Sequence, residues 1–125
     1  MFLDNQAFSG FSTDDLDKAK AFYGDTLGLD VRLNEMGALE LHLATGAMVF
    51  VYPKTNHEAA TDTVLNFPVG DVGAAVDRLI AAGIEMERYE GMGQDERGIM
   101  SGEGPDIAWF KDPAGNILSV LSGQS

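Results

Sequence analysis

Apolar and polar residues alternate singly in several short stretches of this chain, and recur three and four apart in two others. Single alternation marks a strand with one buried face, whereas the three-and-four spacing marks a helix with one apolar stripe. Residues 7–12 and 64–69 read as short strands. Each is followed by an acidic residue suited to cap a helix, Asp14 or Asp15 in the first case and Asp71 in the second. A carboxylate at that place satisfies free N–H groups of the first turn. The first helix then carries Leu16, Ala19, Tyr23 and Leu27 on one stripe, and the second carries Val72, Ala75, Val76, Leu79 and Ile80. Gly28 and Gly83 suit the left-handed residue after a helix end.

Strand patterns follow each helix. They cover residues 30–34, 38–43 and 48–52 after the first, and 84–89, 107–111 and 117–121 after the second. Gly46 marks a tight turn between two of them, and the run from Asp112 through Pro113 and Gly115 to Asn116 marks another. The chain therefore repeats one plan. Phe11, Asp15, Leu16 and Ala19 match Phe67, Asp71, Val72 and Ala75 at a single offset. Module one is expected over residues 1–56 and module two over 61–125, with polar residues 54–62 as the linker and His57 solvated within it. Residues 90–106 hold five glycines and mixed charge, and read as a long mobile loop. Within that loop, Gln94, Asp95, Glu96 and Arg97 form either a solvated face or a flap over a ligand.

Parity assigns faces to the strands. Leu39, Leu41, Leu43, Val49 and Val51 share one face, suited to packing under the helices. The opposite face then holds Glu40, His42, Met48, Phe50 and Tyr52. If the turn at Gly46 pairs Ala44 with Met48, His42 stands opposite Phe50. Phe8, Asn66 and Trp109 join this second face if alternation holds, with Ala108 and Phe110 turned toward the helix. Glu40 and His42 are not expected to pair directly along one strand.

Composition narrows the function classes. At 125 residues, 45% apolar and 22% charged, the chain is an ordinary single-domain length and content. No apolar run approaches the roughly 18 residues that span a bilayer, and the N-terminal residues lack the pattern of a signal peptide. The absence of cysteine excludes disulfides and thiolate ligands and fits a cytoplasmic setting. A formal charge of −12 argues against nucleic acid and anionic membrane as partners, and favours a cationic small molecule.

The segments carrying Asp15, Leu16, Phe22, Tyr23, Leu27 and Gly28, then Val69, Asp71, Val72, Leu79 and Gly83, and finally Trp109 through Leu118 with the Asp112–Asn116 turn, resemble the vicinal oxygen chelate superfamily. That superfamily includes glyoxalases, extradiol dioxygenases and bleomycin resistance proteins. The resemblance implies an α+β fold of two tandem βαβββ modules, forming a curved mixed sheet or incomplete barrel with helices on the convex side and a ligand on the concave one. It also implies a homodimer. In metal-dependent members, His and Glu on the inward strands hold a divalent ion. The corresponding positions here are Phe8, Phe50, Val64 and Ser119, with Asn66 or Glu40 reached by a register slip of one. None makes a ligand set, since divalent ions require several oxygen or nitrogen donors, so no metal and no cofactor is expected.

The implied activity is metal-free binding of a small molecule, aromatic or cationic, by Phe8, Glu40, His42, Met48, Phe50, Tyr52, Asn66, Trp109 and Ser119. A metal-independent isomerase or lyase using Glu40 or His42 competes with it, as does a non-catalytic regulatory or interaction module.

Overall fold

A computed structural model describes residues 1–102 and 104–123. The chain divides into two compact units, residues 1–58 and residues 59–125. The fold is α+β, and each unit carries a mixed sheet with one helical segment.

In the first unit, β1 (Ser9–Thr13) leads into α1 (Leu16–Lys20). Of the two candidate caps the structure uses Asp15, whose carboxylate accepts the Lys18 N–H at 3.0 Å. The helix then widens into a π-helical turn over Ala21–Thr26, where the Leu27 N–H reaches back to the Phe22 carbonyl. The widening turns the adjacent pair Phe22 and Tyr23 both inward, and their rings meet at 5.1 Å nearly edge to face. Gly28, at φ 75°, ends the helical segment.

Strands β2 (Asp30–Leu33), β3 (Leu39–His42) and β4 (Met48–Pro53) complete this sheet in the order β1-β4-β3-β2. β1 runs parallel to β4, and the other pairs are antiparallel. Leu39, Leu41 and Val51 are fully buried and Val49 nearly so, and α1 packs on β4 over this apolar face. Leu43 lies beyond the end of β3 and is only half-buried. The hairpin pairs His42 with Met48 and Glu40 with Phe50, two residues away from the expected register. Because the shift is even, no side chain changes face.

In the second unit, β5 (Thr63–Val69) precedes α2 (Val72–Ala81), which Asp71 caps by accepting the Ala74 N–H. Val72 and Val76 are buried, Ala75 and Leu79 half-buried. Ile80, expected on the same stripe, is exposed. Strands β6 (Ile107–Lys111) and β7 (Ile117–Ser122) form the order β5-β7-β6, parallel at β5 and antiparallel at β6. Ala108, Phe110, Leu118 and Val120 form the buried face, and α2 packs on β7 and β6.

The strand expected over residues 84–89 is reduced to one bridge, Met86 opposite Phe110. Its neighbourhood is tied by side chains instead. Gln94 accepts the Tyr89 N–H at 2.6 Å and donates to the carbonyls of Glu87 and Gly98, taking partners that a longer ladder would have supplied. The loop expected to be mobile is folded back on itself in the same way. Ile99 is buried, Asp95 accepts the N–H groups of Arg97 and Ile99, and Arg97 pairs with Asp77 of α2 at 2.9 Å. The backbone N–H groups of Ile99 and Arg97 hold the Asp95 carboxyl below the usual carboxylate range. No helix among the described residues is long and apolar enough to cross a membrane.

Candidate functional site

The two units repeat one register on their sheets. In the first, Gly10 pairs with Phe50 and Phe50 with Glu40; in the second, Asn66 pairs with Ser119 and Ser119 with Trp109. The sequence repeat that sets Phe11 on Phe67 therefore also sets Gly10 on Asn66, Phe50 on Ser119 and Glu40 on Trp109. Partners in adjacent strands project to the same side of a sheet. Each row is thus one strip of the face turned away from the helix.

On the first unit that face carries Met48, Phe50 and Tyr52 of β4, Glu40 and His42 of β3, and Asp30 and Arg32 of β2. Phe8 sits one residue before β1 and is 57% exposed, with its ring against Phe50 at a centroid distance of 4.5 Å and tilted by 35°. Tyr52 is exposed and Met48 half-buried. A depression of about 400 Å³ opens between Phe8 and the Gly46 turn, with Met48 in its wall.

Glu40 and His42 meet directly, Oε1 to Nε2 at 3.0 Å, contrary to the expectation that they would not pair. Residues two apart on a strand share a face, and both side chains are long enough to bridge the gap. Beside them Arg32 donates to Asp30 at 2.9 Å. That hydrogen bond holds the Asp30 carboxyl below its ordinary range. The strip is therefore apolar on β4 and ionic on β3 and β2.

His57, expected to be solvated, is half-buried and hydrogen-bonded through Nδ1 to Ser12 Oγ at 2.6 Å. Ser12 faces the same way as Tyr52, its register partner. No local pattern links residues 45 apart in sequence, so the contact has no signal in the chain. It fastens the segment after β4 onto β1, together with the Lys54 N–H bonded to the Thr13 carbonyl.

On the second unit, Ser119 is fully buried and donates to Asn66 Oδ1 at 2.5 Å. Trp109 is half-buried, and its ring meets Tyr89 at 5.5 Å and 77°, nearly edge to face. The Tyr89 hydroxyl is buried and has no hydrogen-bond partner among the described residues. Burial, with the Glu87 carboxylate nearby, raises its pKa above the ordinary tyrosine value. The neutral form is thus favoured in the folded state. Stability from this group is complete below the unfolded pKa and is lost as pH climbs from there through the folded value. Tyr89→Phe removes an unsatisfied donor, so stability at neutral pH should be unchanged or up to about 1 kcal/mol higher. Denaturant titrations at pH 7 and above 10 should show the variant losing less stability with alkali; a loss equal to the parent's contradicts the assignment.

The residues at the four positions that the resemblance assigns to a metal do not fit a divalent ion. Phe8 and Phe50 offer only rings, set against one another. Val64 is aliphatic, and the Ser119 proton is committed to Asn66. Among the described residues no three His, Asp or Glu side chains are grouped so as to hold a metal. The predicted set thus falls into two groups, Phe8, Glu40, His42, Met48, Phe50 and Tyr52 on the first unit and Asn66, Trp109 and Ser119 on the second. Tyr89 beside Trp109 was not among the expected residues. Nothing in its local pattern separates it from a half-buried strand aromatic.

Solved structures with this architecture include a lactoylglutathione lyase from Agrobacterium tumefaciens, 23% identical, TM-score 0.69, covering 97% of this chain and 96% of its own. The fosfomycin resistance protein FosX from Mesorhizobium loti is 11% identical with a TM-score of 0.65, over 98% of this chain and 94% of its own. A hypothetical protein from S. aureus, 16% identical, gives a TM-score of 0.72 over 97% and 95%. No relative is found among curated proteins. At these identities the likeness concerns the fold. The sequence itself matches the profile of the Glyoxalase/Bleomycin resistance protein/Dioxygenase superfamily over residues 7–120. That match covers nearly the whole chain, and the protein belongs to this superfamily.

Proposed function

We propose that this protein binds a small molecule without a metal ion, in the manner of the antibiotic-sequestering resistance proteins of its superfamily. The chemistry at the four positions carries the reading. Two phenylalanines in ring contact, a valine and a serine already bonded to asparagine supply no ligand set. Lewis-acid chemistry at that place requires several donors on one ion. What remains is aromatic and thioether surface with a few polar groups, the usual make-up of a small-molecule site. A net charge of −12 favours a cationic ligand, and Phe8, Phe50 and Trp109 favour an aromatic one.

Elemental analysis of untagged protein tests the metal-free part. Less than about 0.1 equivalent of zinc, nickel, iron or manganese is expected, and a value near one overturns the reading. A homodimer belongs to the same proposal, because β1 and β5 are edge strands of their sheets and exposed edges invite pairing. Sedimentation at micromolar concentration should give twice the chain mass; a clean monomer contradicts it.

A second reading, a metal-independent isomerase or lyase, is favoured by one observation. Glu40 and His42 form a half-buried hydrogen-bonded pair next to Phe50 and Met48. A carboxylate and an imidazole so placed can exchange a proton with a bound substrate. Turnover that survives chelation and disappears in His42→Ala would select this reading. Stoichiometric reversible binding without turnover selects the first.

A further inference from the structure

The second unit holds a depression of about 400 Å³ whose walls include Met92, Met100, Pro105, Ile107 and Trp109. That volume lies within the range of ligand sites, roughly 300–1,000 Å³. No charged side chain lies among its described lining residues, and the Ser101 hydroxyl offers a polar contact at its rim. Hydrogen bonds hold one side of this wall. Met100 and Ile107 exchange two backbone hydrogen bonds, at 2.8 and 3.0 Å. Gln94 ties the segment behind them to Tyr89, Glu87 and Gly98. Tyr89 meets the indole edge-on and sets its plane. Met92, 37% exposed, stands at the open side together with the exposed Ser101 and Pro105.

We propose that this pocket takes a planar aromatic molecule, packed against Trp109 and gripped by the Met92 and Met100 thioethers. The proposal deepens the binding reading above and rests on it: it places the ligand's aromatic part on the second unit and names two residues outside the expected set. Two features of the lining select this ligand class. A flat indole plane presents stacking area. Two polarisable, unbranched sulfur side chains adapt to a ring edge or face.

Trp109 is the single tryptophan, so tryptophan emission comes from this position alone, and the methionine variants tie its quenching to the pocket. Proflavine, a planar cation, and 2-naphthol, a planar neutral molecule, serve as probes on the full chain. Saturable quenching of Trp109 is expected with at least one of them below millimolar concentration. Met92→Ala and Met100→Ala should each weaken it by about fivefold, the size of a sulfur–aromatic contact. Met36→Ala, a 79% exposed methionine in the first unit, should leave it unchanged. The exposed position of Met92 makes that variant safe for folding, and far-ultraviolet circular dichroism checks both. Absence of quenching by both probes overturns the pocket. So does a double methionine variant that binds within about twofold of the parent. Calorimetric binding of a probe with Trp109 silent would sink the pocket and leave the metal-free binding reading standing. One equivalent of bound metal would sink that reading, while saturable quenching weakened by both methionine variants would still support the pocket.

Discussion

Replacing Asp112 by alanine should destabilise the protein by about 3–5 kcal/mol, the largest loss expected from any single polar side chain here. Asp112 and Asn116 are both buried at the turn between β6 and β7. One carboxylate oxygen accepts the N–H groups of Ala114 and Asn116, and the other accepts the Asn116 amide, each at 2.9 Å. The Asp112 N–H returns a bond to the Asn116 carbonyl, also at 2.9 Å. Removing the carboxylate leaves three donors without that partner, two of them buried, and such donors cost far more unpaired than they contribute when paired. Gly115, at φ 86°, lets the chain make the turn. Thermal melting followed by circular dichroism should show a fall of about 10 °C or more. Asp112→Asn should fall between, because it keeps an acceptor for the backbone and turns an amide against Asn116. A melting point for Asp112→Ala within about 3 °C of the parent would remove the staple from the account. The turn also bears on binding. It sets the β6–β7 register that brings Trp109 opposite Ser119, so a weakened turn should blur Trp109 fluorescence before the whole unit melts.

That turn was legible in the sequence as a Pro- and Gly-bearing break, but its buried carboxylate was not. A pattern of residue types marks where the chain reverses and carries no count of the donors that converge there. The same division runs through the site. Period-two alternation placed Glu40, His42, Met48 and Phe50 on one face and Leu39, Leu41, Val49 and Val51 on the other, as the structure does. Alternation is insensitive to an even slip, so the hairpin register came out two residues away without harming the faces. The Glu40–His42 bond is compatible with the sequence signal, since both residues lie on one face of one strand and both side chains are long enough to meet. Contacts between distant segments left no such trace. Ser12 with His57 and Arg97 with Asp77 join residues whose local surroundings read as strand, linker, loop and helix surface. The strand expected over residues 84–89 had the right composition, but Gln94 took up the hydrogen bonds that would have extended it. The π-helical turn departs from the 3.6-residue period that an apolar stripe encodes.

The two faces of β3 should respond in opposite ways to substitution. Leu41 is fully buried in the apolar face of the first unit, beside Val49, its register partner. Leu41→Ala should cost about 2–5 kcal/mol, combining lost transfer energy with a cavity that the surrounding strands fill only in part. Leu41→Glu should abolish folding, since a buried carboxylate has no cation to meet on that face. Glu40, one residue earlier, lies on the other side, with its carboxylate on His42 and partly open to solvent. Glu40→Leu therefore exchanges one modest polar contact for apolar surface beside Phe50, and should move stability by less than about 1 kcal/mol. Urea unfolding measures both changes on one scale, provided the slope stays constant. Equal losses for Leu41→Ala and Glu40→Leu would mean that parity does not govern the sheet. The functional consequence follows from the same asymmetry. Glu40→Leu keeps the fold and alters the exposed face, so any change in ligand affinity in that variant belongs to the face and not to unfolding. A cationic probe should bind less well after the change, because the variant removes a negative charge from a strip on which Asp30 is already paired with Arg32. If binding of that probe is unchanged in Glu40→Leu while Trp109 still reports it, the charged strip of the first unit takes no part in recognition, and the aromatic pocket of the second unit carries the affinity alone.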